Sequence, residues 1–239
     1  MQLVVLAGGF GTRLRGAIPQ GLPKPMAPIA GRPFLEHLLD RAIAQGVTSI
    51  HLLVGYAAHV ITDHFGAAYR RVPVTYSFEE TPLGTGGALK AAAGHLADEF
   101  VLANGDTFAD VDLPTLLGLL GSRPLSMSLA QIDDVARYGS VVTDDDVAIG
   151  FREKGSIGAG MVNAGTYGCR RALLAALPDQ ESFSFETDFL GPQLPALRPR
   201  FLIVDSGIID IGTPESYVFA NNRVQPSSDA PVNPGDDDS

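Results

Sequence analysis

The residues best suited to chemistry begin right behind the first apolar run. Leu6-Ala7-Gly8-Gly9-Phe10-Gly11-Thr12-Arg13-Leu14 joins glycines to an arginine. Glycine lets backbone N–H groups approach a phosphate or a base without a Cβ in the way. Arginine can fork onto phosphate oxygens. The spacing is not G-x-G-x-x-G, and no Gly-Lys-Ser/Thr follows, so neither the dinucleotide fingerprint nor a Walker A loop is present. In Pro23-Lys24-Pro25 two prolines extend the flanking backbone and fix where Lys24 points. A compact ammonium suits a phosphate. Glu80-Thr81-Pro82-Leu83-Gly84-Thr85-Gly86-Gly87 adds close backbone approach at Gly84 and Gly86, a hydroxyl on Thr85 and a carboxylate on Glu80. Ionised, that carboxylate only accepts, which matches the ring N–H and exocyclic NH2 of a guanine edge.

Asn104-Gly105-Asp106 closes one buried run and Asp210 closes another, Ile208-Ile209-Asp210-Ile211-Gly212-Thr213-Pro214. Two carboxylates at strand ends, completed by phosphate oxygens and water, make an octahedral Mg²⁺ site. Singly, each aspartate would serve equally well as a turn or helix cap. Glu153-Lys154 reads by itself as a surface ion pair. Asn163-Ala164-Gly165 reads as an amide aimed at a sugar hydroxyl or as a β-bulge at Gly165. Asp110-Val111-Asp112 has the D-x-D form of metal-dependent glycosyltransferases. It is better read as a helix start, with Asp112 as N-cap and Pro114 just inside. Asp144-Asp145-Asp146 reads as a hairpin turn.

Alternating elements must position these residues. Short apolar, β-branched runs predict strands at 2–7, Ser49–Val54, Val72–Phe78 and Phe100–Ala103. Helices are expected at 34–45, Ala58–Phe65 and 88–96, and the long Gly- and Pro-rich stretch 8–33 reads as a functional loop. Strand and helix in alternation imply an α/β fold, a doubly wound, mostly parallel sheet with helices on both faces. In the second half, strands are predicted at Leu125–Ile132, Gly139–Thr143, 148–153, Met161–Cys169, Arg200–Val204 and 207–211. Helices are predicted at 113–120, 170–176, Phe185–Leu190 and 214–222. This half extends the sheet and covers part of its carboxyl edge, where ligands of open α/β sheets bind.

The chain has 239 residues, of which 45% are hydrophobic and 18% charged, with mean hydropathy +0.14 and net charge −10. At ~150 residues per domain this is one large domain or two small ones. The reading taken is a single domain over 1–223, its half to about residue 110 carrying the motifs suited to a nucleotide's phosphates and base and the half beyond carrying the candidate sugar contact at Asn163. Residues 224–239 form an acidic, low-complexity tail expected to be disordered. A lone cysteine, Cys169, excludes a disulfide framework and a cysteine-based zinc cluster. No apolar run approaches ~18 residues, and Met1-Gln2-Leu3-Val4-Val5-Leu6 lacks the basic n-region of a secretory signal. A cytoplasmic protein without membrane partners is expected. The acidic total argues against a nucleic-acid polymer. Yet residues 1–50 hold five basic and two acidic residues, so a local anion site is expected on an acidic protein.

Taken together and in this order, these motifs resemble the sugar-phosphate nucleotidyltransferase family from Met1 to about Arg223. Lys24-Pro25-Met26-Ala27-Pro28-Ile29, Asn104-Gly105-Asp106-Thr107-Phe108, Arg137-Tyr138-Gly139-Ser140-Val141 and Phe183-Ser184-Phe185-Glu186 are most similar to its branch using GTP and a heptose 1-phosphate. Relatives using UTP or dTTP with another hexose phosphate stay open, as does a catalytically silent, ligand-sensing subunit. The chain departs from the pattern at Arg15-Gly16-Ala17-Ile18, where many relatives carry Pro-Leu-Thr, and at Gly155, where proline is frequent. The resemblance implies a Rossmann-like fold, Mg²⁺ on Asp106 and Asp210, and in-line transfer with release of pyrophosphate. It gives Arg13 and Lys24 the nucleotide phosphates and Lys154 the sugar phosphate. It sets Leu6, Ala7, Gly8, Gly9, Gly11, Thr12, Glu80, Gly84, Thr85 and Asp106 around the nucleotide. Asn104, Gly139, Glu153, Lys154 and Asn163 fall to the sugar. The family admits a homodimer and points to a precursor of capsule or lipopolysaccharide.

Overall fold

Apolar runs too short for helices, and rich in valine, leucine and isoleucine, pair side by side at the centre of the molecule. The computed structural model describes residues 1–9, 11, 14, 16–136, 139–152, 155, 157–204 and 208–223. In its first half the strands are β1 (Gln2–Leu6), β2 (Pro28–Ile29), β3 (Arg32–Pro33), β4 (Ser49–Val54), β5 (Ala68–Tyr69), β6 (Val72–Phe78), β7 (Glu99–Asn104) and β8 (Thr107–Ala109). Helices α1 (Phe34–Ala44), α2 (Ala58–Phe65) and α3 (Gly84–Ala91) lie between them. After α4 (Leu113–Gly118) come β9 (Leu125–Ile132), β10 (Ser140–Asp144), β11 (Val147–Arg152) and β12 (Gly160–Arg170). A π-helix (Phe185–Leu190) runs into α5 (Gly191–Leu197), followed by β13 (Arg200–Val204), β14 (Ile208–Asp210) and α6 (Pro214–Arg223).

Among the described residues the main sheet has ten strands, in the order β10-β11-β13-β9-β12-β7-β1-β4-β6-β5. The run β7-β1-β4-β6 is parallel, as is the pair β13–β9. Strand β12 joins the two halves antiparallel to both β7 and β9. Side chains alternate across the sheet. Leu3 and Val5 of β1 pack on one face with Leu35 and Leu39 of α1, while Val4 faces the other with Leu89 of α3 and Phe185 and Phe189 of the π-helix. Both faces are therefore covered.

The boundaries of β4, α2, β6, β9 and β13 match the reading from the sequence. Three differences have clear causes. Helix α3 begins at Gly84 rather than at residue 88, because glycines read as a loop are its first turn. Lys24–Met26 is a 3-10 turn, not an extended segment; only Pro23 before it is extended, at φ −70° and ψ 149°. Helix α5, which contains Pro192 and Pro195, was not anticipated, since prolines read as breakers. Asp112 does cap α4, its side chain accepting from the Thr115 N–H at 2.9 Å. Asp144–Asp146 form the β10–β11 turn, with Asp145 at φ 50°. The β12–β9 register breaks between Asn163 and Tyr167, around Gly165 at φ 72°, so the bulge is real. The tail 224–239 lies outside the described residues.

Candidate functional site

The parallel strands end at one edge, and the chain segments leaving them wall a cavity of about 310 Å³. Leu6, Gly8 and Gly9 come from the end of β1, Leu53 from β4, Glu79 from the residue after β6, and Asn104 and Asp106 from the end of β7. Pro82, Gly84, Thr85 and Ala88 come from the start of α3, and Lys24 and Pro25 from the 3-10 turn. Ser184 and Glu186 close the far side. The volume falls at the lower end of the ~300–1,000 Å³ range of small-molecule sites.

Several glycines are needed for this closeness. A Cβ on Gly8 would lie 2.1 Å from Oε1 of Glu79, and one on Gly105 would lie 2.7 Å from the Leu6 carbonyl oxygen. Gly84 lines the cavity, and both Gly84 and Gly86 are also pressed by a second segment of chain. A Cβ on Gly86 would sit 2.1 Å from the Phe183 ring, and one on Gly84 2.5 Å from the Phe183 carbonyl oxygen. Their space is taken by the segment 181–185, which crosses the start of α3. The N–H groups of Gly86 and Gly87 donate to the Phe183 carbonyl, and the Phe185 N–H donates to Thr85 Oγ1 at 2.8 Å. Thr85 therefore uses its acceptor on this strap while still lining the cavity.

Lys24 is only 8% exposed, and its ammonium forms an ion pair with Asp106 Oδ2. Asp210 reaches the same place through a two-stranded ribbon. In the antiparallel pair β14–β8 it stands opposite Thr107, and the Ile211 N–H donates to the Asp106 carbonyl at 3.1 Å. Its Oδ1 accepts from the Gly212 N–H at 2.7 Å. Asp106 lines the cavity and Asp210 stands beside it on the ribbon, so these are the carboxylates that would hold a Mg²⁺ ion there. That ion takes one or two carboxylates, with phosphates and water completing the octahedron.

Glu79 and Glu80 exchange expected places. Glu80, read as the base acceptor, is exposed and does not line the cavity. Glu79 does, with Oε2 accepting from the Leu83 N–H at 2.9 Å. Burial raises its carboxyl above the ordinary carboxylate range, and the Leu83 N–H partly opposes this. The strand period could have revealed it. Residues 75, 77 and 79 alternate onto one face, and Thr75 and Ser77 there contact His51.

Of the other expected site residues, Ala7 is buried behind the cavity. Gly11 packs against Lys24, where a Cβ would come 3.2 Å from that of Lys24. Gly139, at φ 76°, bonds Val135 and does not line the cavity. Asn163 meets the cavity through Glu186, to which its Nδ2 donates at 3.2 Å. Thr12, Arg13, Glu153 and Lys154 lie outside the described residues. So do Arg137 and Tyr138.

A cavity at the carboxyl edge of parallel strands, with a buried cation paired to a carboxylate at one end and an acceptor at the other, has the form of a nucleotide site. The chain belongs to the nucleotidyl transferase family, whose model matches residues 2–227. It is 40% identical to the D-glycero-alpha-D-manno-heptose 1-phosphate guanylyltransferase of Campylobacter jejuni, over 91% of this chain and 97% of that one. The protein of the same name from Aneurinibacillus thermoaerophilus is 38% identical, over 94% and 99%. Among solved structures, HddC from Yersinia pseudotuberculosis complexed with GMP-PN superposes with a TM-score of 0.80 at 36% identity, covering 92% of this chain and 98% of that one.

Proposed function

We propose that this protein transfers a guanylyl group from GTP to a sugar 1-phosphate, the favoured acceptor being D-glycero-α-D-manno-heptose 1-phosphate, and releases pyrophosphate. The observation that carries this reading is the Lys24–Asp106 pair at one end of a cavity whose other end holds the Glu79 carboxylate, with Asp210 brought beside Asp106 by the β8–β14 ribbon. The likeness to two heptose 1-phosphate guanylyltransferases supports the choice of base and sugar. An ionised Glu79 accepts two hydrogen bonds, as the N1–H and exocyclic NH2 of guanine require. Uracil and thymine present one N–H between two carbonyls and suit it less.

In the reaction an oxygen of the sugar phosphate attacks the α-phosphorus of GTP in line. The new P–O bond forms as the bond to the β,γ-pyrophosphate breaks. No side-chain nucleophile is required, and catalysis rests on alignment and charge. Lys24 donates to the polyphosphate, and its shielding from water strengthens that interaction. Asp106 and Asp210 would hold Mg²⁺, which when bound would neutralise phosphate charge in the transition state. Asp106, bonded by Thr107 Oγ1 at 3.1 Å, is fixed in orientation for that task. The product, a nucleoside diphosphate sugar, is the glycosyl donor form used to build surface polysaccharides.

Pyrophosphate release measured with four nucleoside triphosphates against a panel of sugar 1-phosphates tests the reading. GTP with the heptose 1-phosphate should give the highest kcat/KM. A preference for UTP or dTTP would overturn the base assignment. Release with no sugar phosphate, or none at all, would overturn the reaction.

A further inference from the structure

Lys24 is held in place by a part of the chain far from it in sequence. Its 3-10 turn, Lys24–Met26, runs directly into the hairpin β2–β3, where Pro28 stands opposite Pro33 and Ile29 opposite Arg32. The Ala27 N–H donates to the Lys24 carbonyl at 3.0 Å, and the Phe34 N–H closes the base of the hairpin on the Ala27 carbonyl at 2.9 Å. Turn and hairpin are therefore joined as one piece. Among the described residues neither β2 nor β3 pairs with the main sheet. His37 of α1 meets the Ile29 carbonyl at 2.9 Å from nearby, and the long-range hold comes from elsewhere.

At its tip this piece is strained. A two-residue hairpin turn with φ > 0 at both central positions suits Asn-Gly or Gly-Gly. Here the two are Ala30 at φ 50° and Gly31 at φ 80°. Alanine is disfavoured in the left-handed region, because its Cβ crowds the following carbonyl oxygen. Strain of this kind persists only where the surroundings over-determine it.

Helix α6 supplies those surroundings. The Ala30 N–H donates to Asn221 Oδ1 at 3.1 Å, and Asn221 Nδ2 donates to the Tyr217 carbonyl at 3.2 Å, which fixes the amide. The Tyr217 hydroxyl donates to the Pro28 carbonyl at 2.7 Å. Beside these bonds Ala27, Ile29 and Phe34 are buried in one cluster with Ile211 and Ala220. The start of α6 is fixed at the other side of the site. Only Ile211 and Gly212 separate Asp210 from Thr213, and the Ile211 N–H is bonded to the Asp106 carbonyl. Thr213 and Ser216 cap the helix reciprocally: the Ser216 N–H donates to Thr213 Oγ1 at 3.3 Å, and the Thr213 N–H to Ser216 Oγ at 3.0 Å. One ten-residue helix is thus tied beside Asp106 at its start and to the piece carrying Lys24 along its length.

We propose that α6 is a clamp, in which Tyr217 and Asn221 are positioning residues that hold the strained β2–β3 turn and through it set the Lys24 ammonium against Asp106. This rests on the transfer reaction proposed above, in which Lys24 faces the polyphosphate. Asn221→Ala and Tyr217→Phe each remove one hydrogen bond to the hairpin. Each should lower kcat about 3- to 10-fold, the scale of one hydrogen bond, with KM for GTP and for the sugar phosphate within about twofold. In a Lys24→Ala background the same substitutions should have less than about twofold further effect, since the group they position is gone. A merely structural role would not give this result, because a smaller folded fraction lowers kcat by the same factor in both backgrounds. Ala30→Gly gives a second readout. Glycine adopts φ > 0 freely, so adding Ala30→Gly to Asn221→Ala should bring kcat back to within about twofold of the wild type without restoring the lost bond. Tyr217→Phe keeps its ring in the apolar cluster and serves where Asn221→Ala melts early. The proposal is overturned if kcat is unchanged in both variants, or if the loss appears in a parameter that Lys24→Ala leaves unchanged. It is equally overturned if the losses multiply with that of Lys24→Ala, or if Ala30→Gly recovers nothing. A wild type that releases no pyrophosphate with any sugar phosphate overturns the transfer reading and this inference with it. A working wild type with any of those four outcomes overturns this inference alone.

Discussion

At the scale of single residues, the adjacent carboxylates of Glu79 and Glu80 show how one step along a strand decides which of two groups faces the cavity. The Glu79 N–H still donates to the Val54 carbonyl at 2.9 Å, so the pleat of β6 persists there and turns Glu79 inward and Glu80 outward. Burial raises the Glu79 carboxyl, and only its ionised form accepts both guanine donors. KM for GTP should therefore rise as pH falls through that raised value. Glu79→Gln should weaken GTP by about tenfold or more, remove this acid limb, and narrow the preference for GTP over UTP, since an amide pairs one donor with one acceptor. A parallel acid limb in the variant would reassign the carboxyl. Lys24 is a different case: its charge is paired with Asp106, and in the proposed reaction it would also face the leaving phosphates. Lys24→Ala should lower kcat by about 10²-fold or more, on the scale of other transition-state charge donors. A change confined to KM for GTP would make it a ground-state contact.

Among the elements, the start of α3 carries the most consequence. Its glycines look like a phosphate-hugging loop in the sequence, yet the strap 181–185 fills the space they leave. That strap leads directly to Glu186, so glycine here serves packing between the two halves. Gly87→Ala isolates the effect, because Gly87 does not line the cavity and its Cβ would meet the Glu181 carbonyl oxygen at 2.3 Å. The substitution should cost about 1–3 kcal/mol of stability, as overpacking does, and should raise KM for the sugar phosphate more than for GTP. An unchanged melting temperature would contradict this packing. The same segment shows what the sequence could convey. Ser49–Val54 and Val72–Phe78 were legible because a buried strand is a short apolar run with clear ends. Asp112 was legible as a cap because capping needs only neighbours in sequence. The strap was not, since Gly84 and Phe183 are far apart in the chain and only tertiary packing explains why both are required. Asp106 and Asp210 were each legible as a strand end, but the β8–β14 ribbon that brings their backbones together has only three residues per strand.

Across the whole molecule, the central strands impose a pH dependence that no surface charge predicts. His51 is fully buried on β4, flanked by the hydroxyls of Thr75 at 2.7 Å and Ser77 at 2.9 Å and stacked on His95 at 5.1 Å. Burial, and to a lesser degree the proximity of His95, lowers its imidazolium to about 4 from an ordinary 6.5. Between those values the unfolded chain binds a proton that the folded chain does not, so acid draws the equilibrium toward unfolding. Folding stability should be flat above the unfolded value and decline from pH 6.5 toward pH 4, by up to about 3 kcal/mol at the scale of 1.36 kcal/mol per unit. The sheet is continuous through β4, so this loss falls on the whole fold and not on one edge. His51→Gln retains hydrogen-bonding capacity toward both hydroxyls and does not titrate. It should be less stable at pH 7, where a fitted ring is lost, yet lose less between pH 7 and pH 5 than the wild type. Urea midpoints at pH 7, 6 and 5 separate the outcomes. The other four histidines are common to both proteins, so the difference between the two slopes belongs to position 51. Equal slopes would mean that His51 takes up its proton in the folded state as readily as in the unfolded one.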